Sequence, residues 1–288
     1  MTRVSVNGIF LNVEITGDGP DLLLLHGFTG DISTWSPFLD ALSSYRTIRV
    51  DLIGHGRSDS PPDPARYSMK HAVEDLQALL HHLHVDRTAL LGYSLGGRVA
   101  LHFALEAPEM LTALVLESAS PGIADKKERE ARRRSDAALA ESILSDGLEA
   151  FVDRWQSQAL FASQSRLPAE VQQRQRTQRL SQNPLGLANS LRGMGASSQD
   201  YLMPQLQGLH VPSLFLAGAL DQRYAALAAV LAAEAPDARH QVIEGAGHAV
   251  HLEKPDEFEA IVSQFLGERA GSGSSAVTGS TFPNRRSP

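Results

Sequence analysis

Six short apolar runs, separated by longer helical patterns, constrain the fold of this chain more than any other feature. In chain order the runs are DLLLLH, YRTIRVD, TALLGY, LTALVLE, VPSLFLAG and ARHQVIE. Several of them show no polar alternation, which indicates strands that are buried on both faces. Buried strands joined by helical crossovers form a mostly parallel sheet with helices on both faces. The sequence therefore predicts an α/β fold, to which RVSVNG and IFLNVEI add an N-terminal hairpin.

Helical patterns fill most of the gaps between these strands. They are STWSPFLDALSS, SMKHAVEDLQALLHHLHV, LGGRVALHFALEAP, RYAALAAVLAAEAP and PDEFEAIVSQFLG. From residue 121 to residue 205 charged, glutamine-rich helical sequence replaces the alternation. We therefore expect one α/β core, formed by residues 1–120 and 206–268, with a helical lid at 121–205. Residues 269–288 are rich in Gly and Ser without an apolar period, which predicts a disordered tail.

Composition excludes several classes of site and partner. The chain has 288 residues, no cysteine and a formal net charge of −7. The lack of cysteine removes disulfides, thiolate metal sites and cysteine nucleophiles, and the negative charge does not suit a nucleic-acid partner. The N-terminus lacks a signal-peptide pattern, and no apolar run approaches the roughly 20 residues of a membrane span. We expect a cytoplasmic protein with no membrane span, metal or other cofactor.

The stretch TALLGYSLGGRVAL carries the first chemical signal. Gly92 to Gly96 fit the pattern G-x-S-x-G, with an apolar strand before the motif and an amphipathic helix after it. Glycines permit the sharp turn that this arrangement requires. Ser94 is thereby held above the sheet, near helix N–H groups that favour negative charge. The context favours a reactive serine over an ordinary glycine-rich turn.

Ser94 needs a histidine to accept its proton and an acid to orient that histidine. The loop in EGAGHAVHLEKP supplies His248, and LAGALDQRY supplies Asp221 just after a strand. His251 is an alternative base three residues later, although its place at the start of the last helix favours a packing role. Glu117 ends another strand and stays open as an alternative acid.

Four motifs together resemble the α/β-hydrolase superfamily over about residues 3–268. They are LLHGFTG, VDLIGHGRSD, GYSLGGRVAL and GAGHAVHLEKP. The chain order Ser94, Asp221, His248 is also that of the superfamily. The resemblance implies an α/β-hydrolase fold and an oxyanion hole built from the amides of Phe28 and Leu95.

The remaining histidines have structural interpretations. His26 and His55 lie in loop motifs, where we expect them to make hydrogen bonds rather than to act in catalysis. His81, His82 and His84 lie together at the end of one predicted helix. A metal site there would need further ligands, which the sequence does not offer.

The residues around the site resemble, more narrowly, the 2-succinyl-6-hydroxy-2,4-cyclohexadiene-1-carboxylate synthase family, pyruvate-eliminating lyases of menaquinone biosynthesis. The segments that carry the likeness are GYSLGGRVA, SASPGIADKKEREARRRSD and LMPQLQGLHVPSLFLAGALDQRY. Ser118 departs from the family, in which a glycine is expected. The likeness implies that the substrate is bound by Tyr93, Arg98, Arg132, Trp155 and Arg179, with the arginines on its carboxylates.

Charge patterning supports an anionic substrate. The lid, residues 121–205, carries twelve Lys and Arg against ten Asp and Glu, so it is the basic part of an acidic protein. Arg98 follows Ser94 by one helical turn, and on a core-facing helix it needs an anionic partner to offset its desolvation. Arg129, Arg132 and Arg133 are spaced to share one helix face, although each could equally be an exposed surface residue.

These observations favour a lyase with a small polyanionic substrate. It would eliminate pyruvate from 2-succinyl-5-enolpyruvyl-6-hydroxy-3-cyclohexene-1-carboxylate, with a triad-activated serine as the base. A carboxylesterase or C–C bond hydrolase needs the same triad without the arginines. A non-enzymatic receptor of this fold needs only the pocket. The sequence leaves the oligomeric state open.

Overall fold

The computed structural model describes residues 2–272 and contains every strand that the apolar runs predict. The strands are β1 (Thr2–Val6), β2 (Ile9–Thr16), β3 (Asp21–Leu25), β4 (Arg46–Val50), β5 (Thr88–Tyr93), β6 (Leu111–Glu117), β7 (Ser213–Gly218) and β8 (Ala238–Ile243). They form one sheet in the order β1-β2-β4-β3-β5-β6-β7-β8. The pairs β1/β2 and β2/β4 are antiparallel, and the neighbours from β4 to β8 are parallel. The predicted hairpin and mostly parallel sheet are confirmed.

Helices cover both faces of this sheet. The helices of the described chain are α1 (Met69–His82), α2 (Leu95–Glu106), α3 (Lys126–Ser145), α4 (Leu148–Gln156), α5 (Ala169–Leu180), α6 (Pro184–Met194), α7 (Gln222–Glu234), α8 (Val250–Glu253) and α9 (Pro255–Ser272). Leu23 and Leu25 pack on the side of α1, α2 and α7. Leu22 and Leu24 pack on the side of α9. Because successive side chains of a strand point to opposite faces, an unbroken apolar run is what a sheet covered on both faces requires.

The structure differs from the sequence prediction at two places. The pattern STWSPFLDALSS forms a short 3-10 helix, Ile32–Phe38, followed by turns instead of an α-helix. Pro37 lies inside this segment and has no N–H to donate to an α-helical hydrogen bond. At the other end, α9 continues to Ser272, so residues 269–272 of the predicted disordered tail are helical. The rest of that predicted tail, 273–288, lies outside the described residues.

Helices α3 to α6 lie between β6 and β7, where the sequence predicts the lid. Within the described residues this connection contains no strand. It has an apolar cluster of its own, formed by Ala140, Ile143, Phe151, Val152, Leu187, Ala188 and Leu191. Phe28 of the core packs against that cluster. We keep residues 121–205 as the proposed bounds of the lid. None of the described helices combines the length and apolar character of a membrane span.

Candidate active site

Ser94 lies at the turn between β5 and α2, at the carboxyl edge of the parallel strands. Its φ of 50° is in the left-handed region, which is strained for a residue with a side chain. The flanking glycines are sterically required. A Cβ on Gly92 would lie 2.4 Å from the carbonyl oxygen of Gly96, and a Cβ on Gly96 would lie 2.4 Å from that of Leu25. The sequence motif is therefore a strained strand-to-helix turn that exposes one hydroxyl.

His248 joins this hydroxyl to an acid. Its Nε2 lies 3.1 Å from Ser94 Oγ, and its Nδ1 lies 2.7 Å from Asp221 Oδ2. The carboxylate only accepts, so Nδ1 carries the proton and Nε2 accepts from the serine. Asp221 also caps α7 by accepting from the Tyr224 N–H, and the Tyr224 ring packs edge-on against His248. These distances suit the transfer of a proton from Ser94 to His248.

The two alternatives that the sequence left open pair with each other. His251 Nδ1 lies 2.8 Å from Glu117 Oε2, and the His251 backbone N–H donates to Oε1 of the same carboxylate at 3.0 Å. Glu117 is fully buried, and its backbone oxygen accepts from the Ser94 N–H at 2.8 Å. Within the described chain, Asp221 is the carboxylate that bonds to His248. The packing role expected for His251 is confirmed.

His26 and His55 make the hydrogen bonds that the sequence predicts for them. His26 Nε2 accepts from the Leu52 N–H at 3.0 Å, so its Nδ1 donates to the Gly27 oxygen. His55 Nδ1 donates to the Ile53 oxygen at 3.1 Å. Burial lowers the pKa of His55 to about 3, which keeps the ring neutral at physiological pH.

The histidines at the end of α1 and just beyond it, His81, His82 and His84, are exposed. In the part of the chain that the structure describes, no group of His, Asp or Glu side chains could hold a metal ion.

A cavity of about 620 Å³ opens beside Ser94, between the sheet edge and the lid. Every site residue predicted from the sequence except the buried acid Asp221 lines it, namely Phe28, Tyr93, Ser94, Leu95, Arg98, Arg132, Trp155, Arg179 and His248. Trp155 packs edge-on against Phe28, with 5.2 Å between ring centroids. Burial raises the pKa of Tyr93 well above its usual value, so its hydroxyl stays protonated. Leu95 is the first residue of α2, where backbone N–H groups have no acceptor within the helix.

Two of the cavity arginines, the half-buried Arg98 and the buried Arg179, have no carboxylate partner among the described residues. Arg98 donates to the Met194 oxygen at 2.7 Å and to Gln199 Oε1 at 2.8 Å, both of which are neutral acceptors. Arg179 is 7% exposed, and its guanidinium lies over the Phe161 ring. Burial lowers the pKa of Arg98 to about 10, so it remains a cation at neutral pH. Within the described residues neither arginine forms an ion pair, and an anion in the cavity would offset their desolvation.

Of the three α3 arginines predicted to share a face, only Arg132 lines the cavity. Its Nε donates to Asp136 Oδ1 at 2.7 Å, which leaves the other nitrogens of the guanidinium for a further anion. Arg133 is exposed and pairs with Glu130, and Arg129 is half-buried. Arg132 is exposed as well, so the structure does not contradict the predicted shared face. Spacing groups residues on a helix, but it does not show which of them reaches the cavity.

Sequence reasoning missed two glutamines that join the lid to the core. Gln178 on α5 donates to Asp31 Oδ1 at 2.7 Å and to Ser33 Oγ at 2.9 Å. Gln182 accepts from the Gly56 N–H at 2.8 Å. Both side chains lie in a glutamine-rich stretch, and nothing in that composition singles them out.

Ser118, the departure noted in the sequence, lies directly after β6 with a φ of 49°. Its side chain is buried, and its hydroxyl has no hydrogen-bond partner among the residues that the structure describes. Ser118→Gly removes both the left-handed strain and the unsatisfied hydroxyl, so we expect a gain in the free energy of unfolding of about 1 kcal/mol. Urea unfolding of both proteins measures it. Ser118→Ala is the matched control, since it removes the hydroxyl and keeps the strain. A glycine variant less stable than the wild type would contradict this explanation.

Comparison with known proteins agrees with this geometry. Residues 20–255 match the family model of the alpha/beta hydrolase fold. A Bacillus subtilis (strain 168) protein that carries the provisional name 2-succinyl-6-hydroxy-2,4-cyclohexadiene-1-carboxylate synthase is 41% identical, over 88% of this chain and 93% of its own. The synthase of the same name from Klebsiella pneumoniae (strain ATCC 700721 / MGH 78578) is 34% identical, over 86% of this chain and 94% of its own.

Solved structures of similar proteins have the same fold. The structure of MenH from S. aureus superposes with a TM-score of 0.86 at 34% identity, covering 90% of this chain and 98% of that one. A thermophilic esterase from Thermogutta terrifontis, with malate bound, superposes with a TM-score of 0.80 at 28% identity, covering 93% of this chain and 99% of that one.

Proposed function

The chain belongs to the α/β-hydrolase family, and within it to the 2-succinyl-6-hydroxy-2,4-cyclohexadiene-1-carboxylate synthases, and from this premise we propose that it is a carbon–oxygen lyase of menaquinone biosynthesis. Its reaction is the elimination of pyruvate from 2-succinyl-5-enolpyruvyl-6-hydroxy-3-cyclohexene-1-carboxylate. The product is 2-succinyl-6-hydroxy-2,4-cyclohexadiene-1-carboxylate. The cytoplasmic location and the lack of a nucleic-acid partner stay predictions from composition.

One observation carries the proposal. The cavity beside the Ser94–His248–Asp221 hydrogen-bond chain contains the half-buried Arg98 and the buried Arg179, which no described carboxylate neutralises. A substrate with three carboxylates supplies the missing negative charge, through short charge-assisted hydrogen bonds. A pocket for neutral esters would gain nothing from leaving these cations without a counterion.

The triad supplies the base in this reaction. His248 takes the proton of Ser94, and the serine oxygen removes a proton from the ring carbon next to the succinyl carbonyl. The electrons of that C–H bond form an enolate. As the enolate collapses, a new ring double bond forms at the carbon that lost the proton, the existing ring double bond shifts to the carbon that bears the enolpyruvyl oxygen, and the bond from that carbon to the oxygen breaks. The group that leaves is the enolate of pyruvate. It gains one proton to become pyruvate, which balances the proton that His248 took from Ser94, and the proton taken from the ring carbon restores the serine hydroxyl. No acyl-enzyme is needed at any step.

The growing charge on the succinyl oxygen requires hydrogen-bond donors. We assign this role to the backbone amides of Phe28 and Leu95, since both residues line the cavity with Ser94. Trp155 and the protonated Tyr93 hydroxyl provide the apolar and polar walls around the ring. Arg132, held by Asp136, supports a third carboxylate at the edge of the lid.

The decisive measurement is pyruvate release from freshly generated 2-succinyl-5-enolpyruvyl-6-hydroxy-3-cyclohexene-1-carboxylate, followed with lactate dehydrogenase and NADH. We expect enzyme-dependent release at a kcat of about 1 per second or faster, in the usual range for enzymes. Simple neutral esters such as p-nitrophenyl acetate should turn over far more slowly, because they leave the arginines without a counterion.

The comparison of these two substrates separates the alternatives. An enzyme that hydrolyses neutral esters better than it releases pyruvate would be a carboxylesterase or C–C bond hydrolase that uses the same triad. Failure to turn over either substrate, with intact folding, would instead favour a receptor of this fold.

A further inference from the structure

Arg174 lines the cavity and was not singled out by the sequence. It lies on the lid helix α5, and its side chain is exposed. Among the described residues, no carboxylate pairs with it. Gln178 lies one helical turn further along α5 and donates to Asp31 at the rim of the core. Its exposure and this contact place Arg174 at the mouth of the cavity, outside the half-buried Arg98 and the buried Arg179.

The other exposed or half-buried lid arginines mostly have partners. Arg133 and Arg134 pair with Glu130, Arg154 with Asp146, Arg176 with Glu149 and Asp153, and Arg192 with Glu141. None of these arginines lines the cavity. Arg98, Arg174 and Arg179, by contrast, line it without a carboxylate. Within the described chain the cavity is thus lined by three cations that form no ion pair, the exposed Arg174 and the more buried Arg98 and Arg179, against one carboxylate, Asp31, at the rim.

We propose that Arg174 captures the polyanionic substrate at the mouth of the cavity and favours anions over neutral molecules before they reach the inner arginines. The inference rests on the proposed function for the identity of the natural substrate. A rim cation acts mainly on the association rate and its salt dependence, because long-range attraction guides the encounter. At an ionic strength of 0.15 M this attraction extends about 8 Å, and higher salt shortens it.

The test compares Arg174→Gln with Arg166→Gln. Arg166 is an exposed lid arginine outside the cavity lining, so the two variants lose the same charge at different places. At low ionic strength we expect Arg174→Gln to lower kcat/KM for pyruvate release about 3- to 10-fold through KM, with kcat unchanged. The difference from the wild type should shrink as salt is raised. Arg166→Gln should behave like the wild type.

A second readout does not depend on the reaction. Tricarballylate, an inert trianion, is titrated into each protein while the fluorescence of Trp155 in the cavity is followed. We expect its Kd to rise in Arg174→Gln and not in Arg166→Gln, whereas labelling of Ser94 by the neutral phenylmethylsulfonyl fluoride should be the same in both. If the wild type binds tricarballylate but releases no pyruvate, the proposed lyase function is wrong. The inference that Arg174 captures anions is not contradicted by that result.

Two other results would overturn the inference about Arg174. Equal kcat/KM values for the two variants, while the wild type releases pyruvate, would overturn it. A fall in kcat without a change in KM would also overturn it, because Arg174 would then act on the bound substrate.

Discussion

Replacing Ser94 or His248 by alanine is expected to lower the rate of pyruvate release by at least about a thousandfold, and the double mutant should be scarcely slower than either single mutant. The reason is the continuous hydrogen-bond chain from Ser94 Oγ through His248 to Asp221, at 3.1 Å and 2.7 Å. A serine without its base, or a base without its serine, performs no part of the proton transfer. Steady-state kinetics of the three variants measure the coupling, and additive losses would rule out a shared step.

Two carboxylate variants test which acid orients His248. Asp221→Asn removes the negative charge that selects the Nδ1–H tautomer, so we expect a loss of about a thousandfold. Glu117→Gln is the matched control, since the same charge is lost one strand away, where the carboxylate contacts His251. It should cost stability more than rate, because an amide cannot accept from both His251 donors as well as a carboxylate. A larger rate loss in Glu117→Gln would make Glu117 the catalytic acid.

The strand-to-helix turn at Ser94 and the sheet could be predicted because their sequence signals are local. Gly92 and Gly96 must both be glycine, because a Cβ at either position would lie 2.4 Å from a backbone oxygen. The apolar runs of β3 and β5 show burial on both faces without any knowledge of the neighbouring strands. The short 3-10 helix around Pro37 was missed because the apolar residues of this segment are spaced as in an α-helix. Pro37 lacks the N–H that an α-helical hydrogen bond would need, and apolar spacing does not show this.

The choice of acid and the lid contacts depend on tertiary structure. Glu117 ends β6 and Asp221 follows the adjacent strand β7, so both lie at the same edge of the sheet. Only the path of the chain from the loop with His248 into α8 with His251 assigns one histidine to each carboxylate. The position of Arg174 likewise follows from how α5 packs across the cavity, which residue spacing along one helix does not determine.

Arg98→Ala should lower kcat/KM for pyruvate release about 10- to 100-fold and leave the labelling of Ser94 by a neutral sulfonyl fluoride nearly unchanged. The side chain of Arg98 is half-buried one helical turn beyond Ser94, and its hydrogen bonds within the described residues go to the neutral oxygens of Met194 and Gln199. Its positive charge is therefore available to a substrate carboxylate in a poorly solvated site, where charge-assisted hydrogen bonds are strong. Parallel kinetics with the tricarboxylate and the neutral reagent separate anion binding from damage to the triad.

Arg98→Lys keeps this comparison interpretable if the alanine variant folds poorly. The ammonium retains the charge and one of the hydrogen bonds, but it lacks the planar fork that contacts Met194, Gln199 and a carboxylate together. We therefore expect the lysine variant to recover part of the activity and to fold as the wild type does. Raising ionic strength should raise the KM for the tricarboxylate in the wild type, because salt screens the attraction between the cationic cavity and an approaching anion. Pyruvate release that is unchanged by both substitutions would mean that Arg98 does not bind the substrate. The lyase proposal would then lose its main structural support, and the esterase alternative would be favoured.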